Sequence, residues 1–294
     1  MKNIQISKLA IGTVQFGLNY GVANKFGIVN PSEVKKILLL ARQFKINLID
    51  TAIGYGESEK IIGKIGILDF NFISKLPAIP ANCVDLDTWV EDSVKNSLTH
   101  LGIKSLYGLL LHKPKELLGT SGKQLINALK RIKSKNLVKK IGISIYDPSE
   151  LDLVMHLMKI EIVQAPLNII DRRLENSGWL SKLNNANIEI HVRSVFLQGL
   201  LLMSKQERPY KFNRWSRLWK IWDEWLEDNE ITALEATIQY AISVSEISKV
   251  IIGVDTKQQL EQIIIASKGA LQKNSLELNT SDIELLNPTH WDKL

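Results

Sequence analysis

Eight strand-like apolar runs alternate along this chain with amphipathic stretches of helical period, and few folds can absorb that pattern. The runs lie near residues 8–12, 46–50, 70–75, 106–111, 138–143, 161–165, 188–195 and 249–253. Helical periodicity fills most gaps, at about 31–45, 57–66, 86–100, 121–136, 148–158, 174–185, 231–245 and 256–268. Neighbouring parallel strands need a crossover of a dozen or more residues, usually a helix. Eight such units predict a parallel sheet closed on itself, a (β/α)8 TIM barrel. The barrel typically takes about 250 residues, so 294 residues are read as one domain spanning 1–294. Local signals agree. Asn30-Pro31-Ser32-Glu33 reads as a helix start, with a side-chain cap, a proline in the first turn and a glutamate three on. Asp147-Pro148 opens another helix.

Two stretches depart from the bare alternation. Residues 200–230 form an insert after the seventh strand, with Trp215, Trp219, Trp222 and Trp225 spaced along one helical face. Such a stripe most often packs on the body of the fold; lining a cavity or binding a partner are the alternatives. The tail from Leu271 to Leu294 holds a short helix near 281–287 and is expected across the barrel.

Composition excludes several function classes. No apolar run approaches the roughly 18 residues of a membrane span, and the start lacks a signal-peptide core. One cysteine, Cys83, rules out an internal disulfide and a CxxC metal site. The five histidines are scattered without metal-site spacing. The expectation is therefore a cytoplasmic protein without a metal. The net charge of +6 comes mostly from lysine, with no aromatic-interleaved basic stripe to suggest nucleic acid. A Rossmann glycine signature, a P-loop, His-Glu-x-x-His, Gly-x-Ser-x-Gly and Tyr-x-x-x-Lys are all missing.

Four polar residues instead fall where predicted strands end: Asp50, Tyr55, Lys75 and His112. In a parallel barrel these ends share one mouth. A tyrosine hydroxyl, ordinarily ionising near pH 10, is a poor acid at neutral pH. An ammonium beside it favours the phenolate, an aspartate would hold the ammonium, and a histidine opposite could hydrogen-bond a carbonyl. Together they could polarise a C=O and protonate it as a hydride arrives. Each has a dull alternative: a helix cap for Asp50, a rim aromatic for Tyr55, a surface lysine for Lys75, a loop histidine for His112.

At this point the chain resembles the aldo-keto reductases. Asp50-Thr51-Ala52-x-x-Tyr55-Gly56-x-Ser58-Glu59 is similar to that family's signature stretch. Ile73-Ser74-Lys75 resembles its lysine strand and Leu110-Leu111-His112 its histidine strand. Ile141-Gly142-Ile143-Ser144, Val163-Gln164, the Gln198-Gly199 turn and Ile252-Gly253…Gln259-Leu260 continue the match in order. The resemblance implies metal-free hydride transfer between a nicotinamide dinucleotide, bound extended, and a carbonyl or alcohol carbon. It implies Tyr55 as general acid, tuned by Lys75 and Asp50, with His112 orienting a small-molecule carbonyl substrate. Its cofactor set comprises Gly12, Thr13, Asp50, Ser144, Gln164, Arg193, Ser194, Gly253, Thr256, Lys257 and Gln259, with Ser144 and Gln164 holding the carboxamide. Thr256-Lys-Gln-Gln259 reads as a capping box whose free N–H groups suit the cofactor's phosphate end, or as an ordinary capped helix.

The departures matter. Ile145 stands where the family commonly has asparagine, and Arg193 where many members stack an aromatic on the nicotinamide. That leaves the nicotinamide face differently supported and could add a cation for an anionic substrate. Asp255 sits near the expected 2′-phosphate, with Lys257 as the nearby cation. The family favours NADPH; these residues leave NADH open. The leading reading is an NAD(P)(H)-dependent oxidoreductase acting on a sugar or related polar carbonyl. The alternatives are a cofactor-binding redox-sensing regulatory subunit and a non-redox barrel isomerase or lyase.

Overall fold

Strand pairing closes the sheet in chain order. The computed structural model describes residues 6–67, 69–269, 271 and 278–294. Its strands are β1 (Leu9–Gly12), β2 (Leu48–Asp50), β3 (Asn71–Leu76), β4 (Leu106–Leu111), β5 (Val138–Ser144), β6 (Ile162–Pro166), β7 (Glu189–Arg193) and β8 (Lys249–Gly253). Each pairs in parallel with the next, and β8 returns to β1 through Leu9↔Val250 and Gly12↔Gly253. The (β/α)8 barrel expected from the alternation is the fold observed. The predicted strand at 188–195 stops at Arg193 because Ser194 turns left-handed, with φ 60°.

The surrounding layer contains α1 (Pro31–Gln43), α2 (Ser58–Ile65), α3 (Leu86–Leu101), α4 (Gly122–Ser134), α5 (Ser149–Val154), α6 (Trp179–Asn185), α7 (Ser216–Asp228), α8 (Ala233–Ser243) and α9 (Lys257–Ala266). The helix expected at 174–185 is split into Arg173–Asn176 and α6 by Gly178, whose φ of 75° no helix interior accepts. At α1, Asn30 Oδ1 accepts from Ser32 N–H as the start signal implies. Glu33 does something else: it reaches across to the neighbouring α9.

The insert is settled by burial. Trp222 is fully enclosed, its indole N–H donating to Leu201 O at 3.2 Å, and it stacks on Trp225 with centroids 5.9 Å apart. Trp219 donates to Phe212 O and Trp215 to Asp282. The tryptophan face therefore packs inward, and none of the four lines the main cleft. Residues 278–294 pack on this insert through the Arg214–Glu284 ion pair and the Phe212–Trp291 contact. The part of the expected tail at 272–277 lies outside the described residues. Among the described residues no helix is long and apolar enough to cross a membrane.

Candidate active site

The period-2 geometry of the strands builds the site. Ala10, Leu48, Ile73, Leu110, Ile162 and Ile251 form a buried cluster separate from the main core, the plug of the barrel interior. Side chains two residues further along a strand point the same way, one layer higher. Those positions are Gly12, Asp50, Lys75, His112, Gln164 and Gly253. The mouth is thus the layer above an aliphatic plug: Gly12, Asp50 and Gly253 end their strands, Lys75 is the last but one of β3, His112 directly follows β4, and Gln164 lies midway along β6.

At its centre is a buried ion pair. Lys75 Nζ donates to Asp50 Oδ2 at 2.6 Å and to Thr51 O at 3.0 Å, with Lys75 and Asp50 side chains only 1% and 5% exposed. The same ammonium lies 3.3 Å from Tyr55 Oη. Burial alone would lower the Lys75 pKa; Asp50 and then Tyr55 outweigh it and hold it above the ordinary lysine value. Gln164 Nε2 donates to Asp50 Oδ1 at 2.7 Å, and Ser144 Oγ to Gln164 Oε1 at 3.3 Å. A continuous chain therefore runs Ser144–Gln164–Asp50–Lys75–Tyr55. The dull readings of Asp50 and Lys75, a helix cap and a surface amine, do not hold.

His112 faces Tyr55 edge-on, ring centroids 6.2 Å apart. Burial, followed by the nearby Lys75 and Arg193 charges, pushes its pKa down to about 4. Its imidazole is neutral at pH 7. Tyr55 sits in the short loop after β2, and backbone contact fixes that loop. A Cβ placed on Gly17 would fall 1.9 Å from Tyr55 O, so only glycine lets the two segments touch. Glu59, in the first turn of α2, accepts from Ser74 Oγ at 2.6 Å and Ser97 Oγ at 2.8 Å, fastening α2 to β3 and α3.

Above the mouth lies a cleft of about 550 Å³, well within the range of ligand pockets. It runs from Tyr55 and His112 to Gln259 and Gln262 on α9. Among the sequence-selected residues, Gly12, Thr13, Asp50, Arg193, Ser194, Gly253 and Gln259 also line it. Lys75, Ser144 and Gln164 are buried and do not line it. Thr256 and Lys257 are outside the lining as well. Thr256 caps α9 through Gln259 N–H, but the Gln259 side chain accepts from Asp255 N–H rather than closing a box on Thr256. Lys257 pairs with Glu261. Its backbone N–H, one of those expected to be free for a phosphate, donates to Glu33 Oε1 at 2.8 Å.

Sequence reasoning missed Gln15, Tyr20, Tyr146 and Gln198, which also line the cleft. All stand in the connections that follow strands, Gln15 in the one-turn helix Val14–Gly17 and Gln198 in the 3-10 segment Leu197–Leu202, and that placement is the signal that could have flagged them. Among the described residues, Gln15 Oε1 and Asp255 Oδ1 are buried without a hydrogen-bond partner, and both residues face the cleft. A long cleft with a glycine floor and unpartnered acceptors fits an extended dinucleotide. No cluster of His, Cys, Asp or Glu suited to a metal occurs among the described residues.

A family model described as the aldo/keto reductase family matches residues 8–281. The chain belongs to the aldo/keto reductase family. It is 25% identical over 230 residues to the NADH-specific methylglyoxal reductase of Escherichia coli (strain K12), a match covering 68% of this chain. The chain spans 66% of that relative's length. Among solved structures it resembles an aldo-keto reductase from Bacillus halodurans in its holo form (TM-score 0.71, 19% identity, 90% of this chain and 88% of that one). It also resembles the glycerol dehydrogenase of Gluconobacter oxydans (TM-score 0.69, 18% identity, the same coverage of each). At such identities these two likenesses speak to the fold alone.

Proposed function

We propose that this aldo/keto reductase reduces a small carbonyl compound, with Tyr55 as the proton donor and NADH as the preferred nucleotide. The observation that carries the reading is the Asp50–Lys75–Tyr55 chain ending at the cleft opposite a neutral His112. NADH, held along the cleft by Gly12, Thr13, Gly253 and Gln259, would supply a hydride for the carbonyl carbon. Tyr55 then gives its hydroxyl proton to the carbonyl oxygen. Lys75, held charged by Asp50, stabilises the phenolate left behind. His112, neutral and close to Tyr55, donates an N–H bond to the same oxygen and orients it.

The preference for NADH rests on α9. Glu33 already accepts its first-turn N–H, and that hydrogen bond and then Lys36 hold the Glu33 pKa low. A 2′-phosphate placed there would meet the Glu33 and Asp255 carboxylates, whereas a ribose hydroxyl could donate to Asp255 Oδ1. The NADH specificity in the name of the Escherichia coli relative points the same way. Three of the four tryptophans are buried, so the aromatic stripe favours packing on the fold over the regulatory-partner reading.

The test is a Tyr55→Phe variant beside the wild type. NADH should still quench tryptophan fluorescence with a similar Kd, while turnover of an aldehyde panel falls by about 10²–10⁴-fold. Undiminished turnover would remove Tyr55 from the reaction.

A further inference from the structure

Arg193 ends β7 inside the cleft as a half-buried cation held by neutral groups. One guanidinium nitrogen donates to Ile145 O at 2.9 Å, another to Ser194 Oγ at 3.2 Å, and the group lies 4.4 Å from the Tyr146 ring centre. These contacts fix a long side chain in place, so little rotamer freedom remains to be lost when a ligand binds. None of them neutralises the charge. Arg173 and Arg208, comparably enclosed, each hold a carboxylate: Asp171 and Asp147 for the first, Asp223 for the second. No carboxylate lies within ion-pair distance of Arg193 among the described residues.

The place of this charge is specific. Tyr146 and Tyr20 flank it, and Tyr55 and His112 line the same cleft. Its field adds to the burial that lowers the His112 pKa and opposes the burial that raises the Tyr20 pKa. A guanidinium has five N–H donors in a fixed fork that matches a carboxylate or phosphate. Two of its nitrogens are engaged by the protein. An immobilised cation in a cleft without a counter-ion is matched by a ligand that brings one.

We infer that Arg193 is a specificity residue that receives an anionic group, a carboxylate or phosphate, carried by the carbonyl substrate. This rests on the reductase reading above and narrows it to acidic or phosphorylated carbonyl compounds. The same fork could instead meet the pyrophosphate of the dinucleotide. The two sources share chemistry but differ in which affinity Arg193 controls.

The experiment compares glyceraldehyde with glyceraldehyde 3-phosphate as substrates for the wild type, Arg193→Met and Arg193→Lys. It adds calorimetric Kd values for NADH, and for glycerol 3-phosphate against the NADH complex. In the wild type, kcat/KM should favour the phosphorylated aldehyde by about 10- to 100-fold, the range of a charge-assisted hydrogen bond. Arg193→Met should bring that ratio close to one, and Arg193→Lys should keep part of it. Glycerol 3-phosphate binding should weaken by a similar factor. Because the readout is a ratio within one variant, general loss of activity does not imitate it. An unchanged ratio together with a tenfold or greater loss of NADH affinity would give Arg193 to the pyrophosphate and overturn the inference. An unchanged ratio with unchanged affinities would overturn it too. If neither aldehyde turns over, the reductase reading fails for these substrates. The glycerol 3-phosphate titration then decides the anion site alone: weaker binding by Arg193→Met supports it, and equal binding refutes it.

Discussion

Asp50→Asn is the most informative single change, because it removes a charge while nearly preserving shape. It leaves the Lys75 ammonium, 1% exposed and 2.6 Å from its former partner, without a counter-charge. Breaking one side of a buried pair costs about 3–5 kcal/mol. At about 2.1 cal/mol/K per residue, 294 residues unfold with an entropy of roughly 0.6 kcal/mol/K, so the Tm should fall by roughly 5–8 °C. The sign with pH follows from Lys75. Its folded pKa lies above the ordinary 10.5, so the stabilisation is complete below that value and is lost as pH rises through the folded pKa. Denaturation at pH 7 therefore reads the full effect. Urea unfolding followed by tryptophan fluorescence is the assay, on Asp50→Asn, Lys75→Met and the double variant. Removing both charges relieves the stranded one, so the double variant should recover much of the loss, with a coupling of about 2 kcal/mol or more. Single losses below about 1 kcal/mol, or additivity within about 0.5 kcal/mol, would show that the two side chains are not the coupled pair described.

The His112 pKa of about 4 implies that kcat/KM shows no inflection from this residue between about pH 5.5 and 8; a histidine step near 6.5 in the wild type, absent from His112→Gln, would contradict it. Because the folded state lowers this pKa, the His112 contribution to stability is present above 6.5 and is lost as pH falls towards 4, which acid denaturation of the same variant reads. Glu33→Gln combined with Asp255→Asn should raise NADPH affinity relative to NADH by about tenfold or more, roughly 1.4 kcal/mol, in a fluorescence titration; an unchanged ratio would free α9 of any role in cofactor choice. Trp222→Ala should cost about 3–5 kcal/mol in urea unfolding, since the side chain is wholly enclosed; a loss under about 1 kcal/mol would remove the packing role of the stripe.

Much of the site was legible because two periodicities coincide. Asp50, Lys75 and His112 each stand two residues after an aliphatic residue of the barrel interior, Leu48, Ile73 and Leu110. Alternation along a strand fixes which side chains face inward, and parallel order fixes which end they share. The same rule reaches Gln164 and Gly253 through Ile162 and Ile251. Residues carried by loops escaped it. Tyr20 and Gln198 meet only because the loop after β1 lies against the loop after β7, with a 3.1 Å hydrogen bond between side chains 178 positions apart.

The α9 terminus shows the division most clearly. Thr256 as a cap was readable from the chain, since the cap and its acceptor lie within one helical turn. That Lys257 N–H is already taken was not readable, because the acceptor is Glu33, 224 residues away on the opposite side of the β1–β8 seam. The tryptophan stripe is a similar case: its 3.6-residue period marks a buried face, but not what buries it. Local spacing thus determined the barrel and the place of Asp50, Lys75 and His112 at its mouth. Only the closed tertiary structure decided which helix end is occupied, where the tryptophans go and that Arg193 stands without a carboxylate among the described residues, because each depends on contacts between segments that no periodicity links.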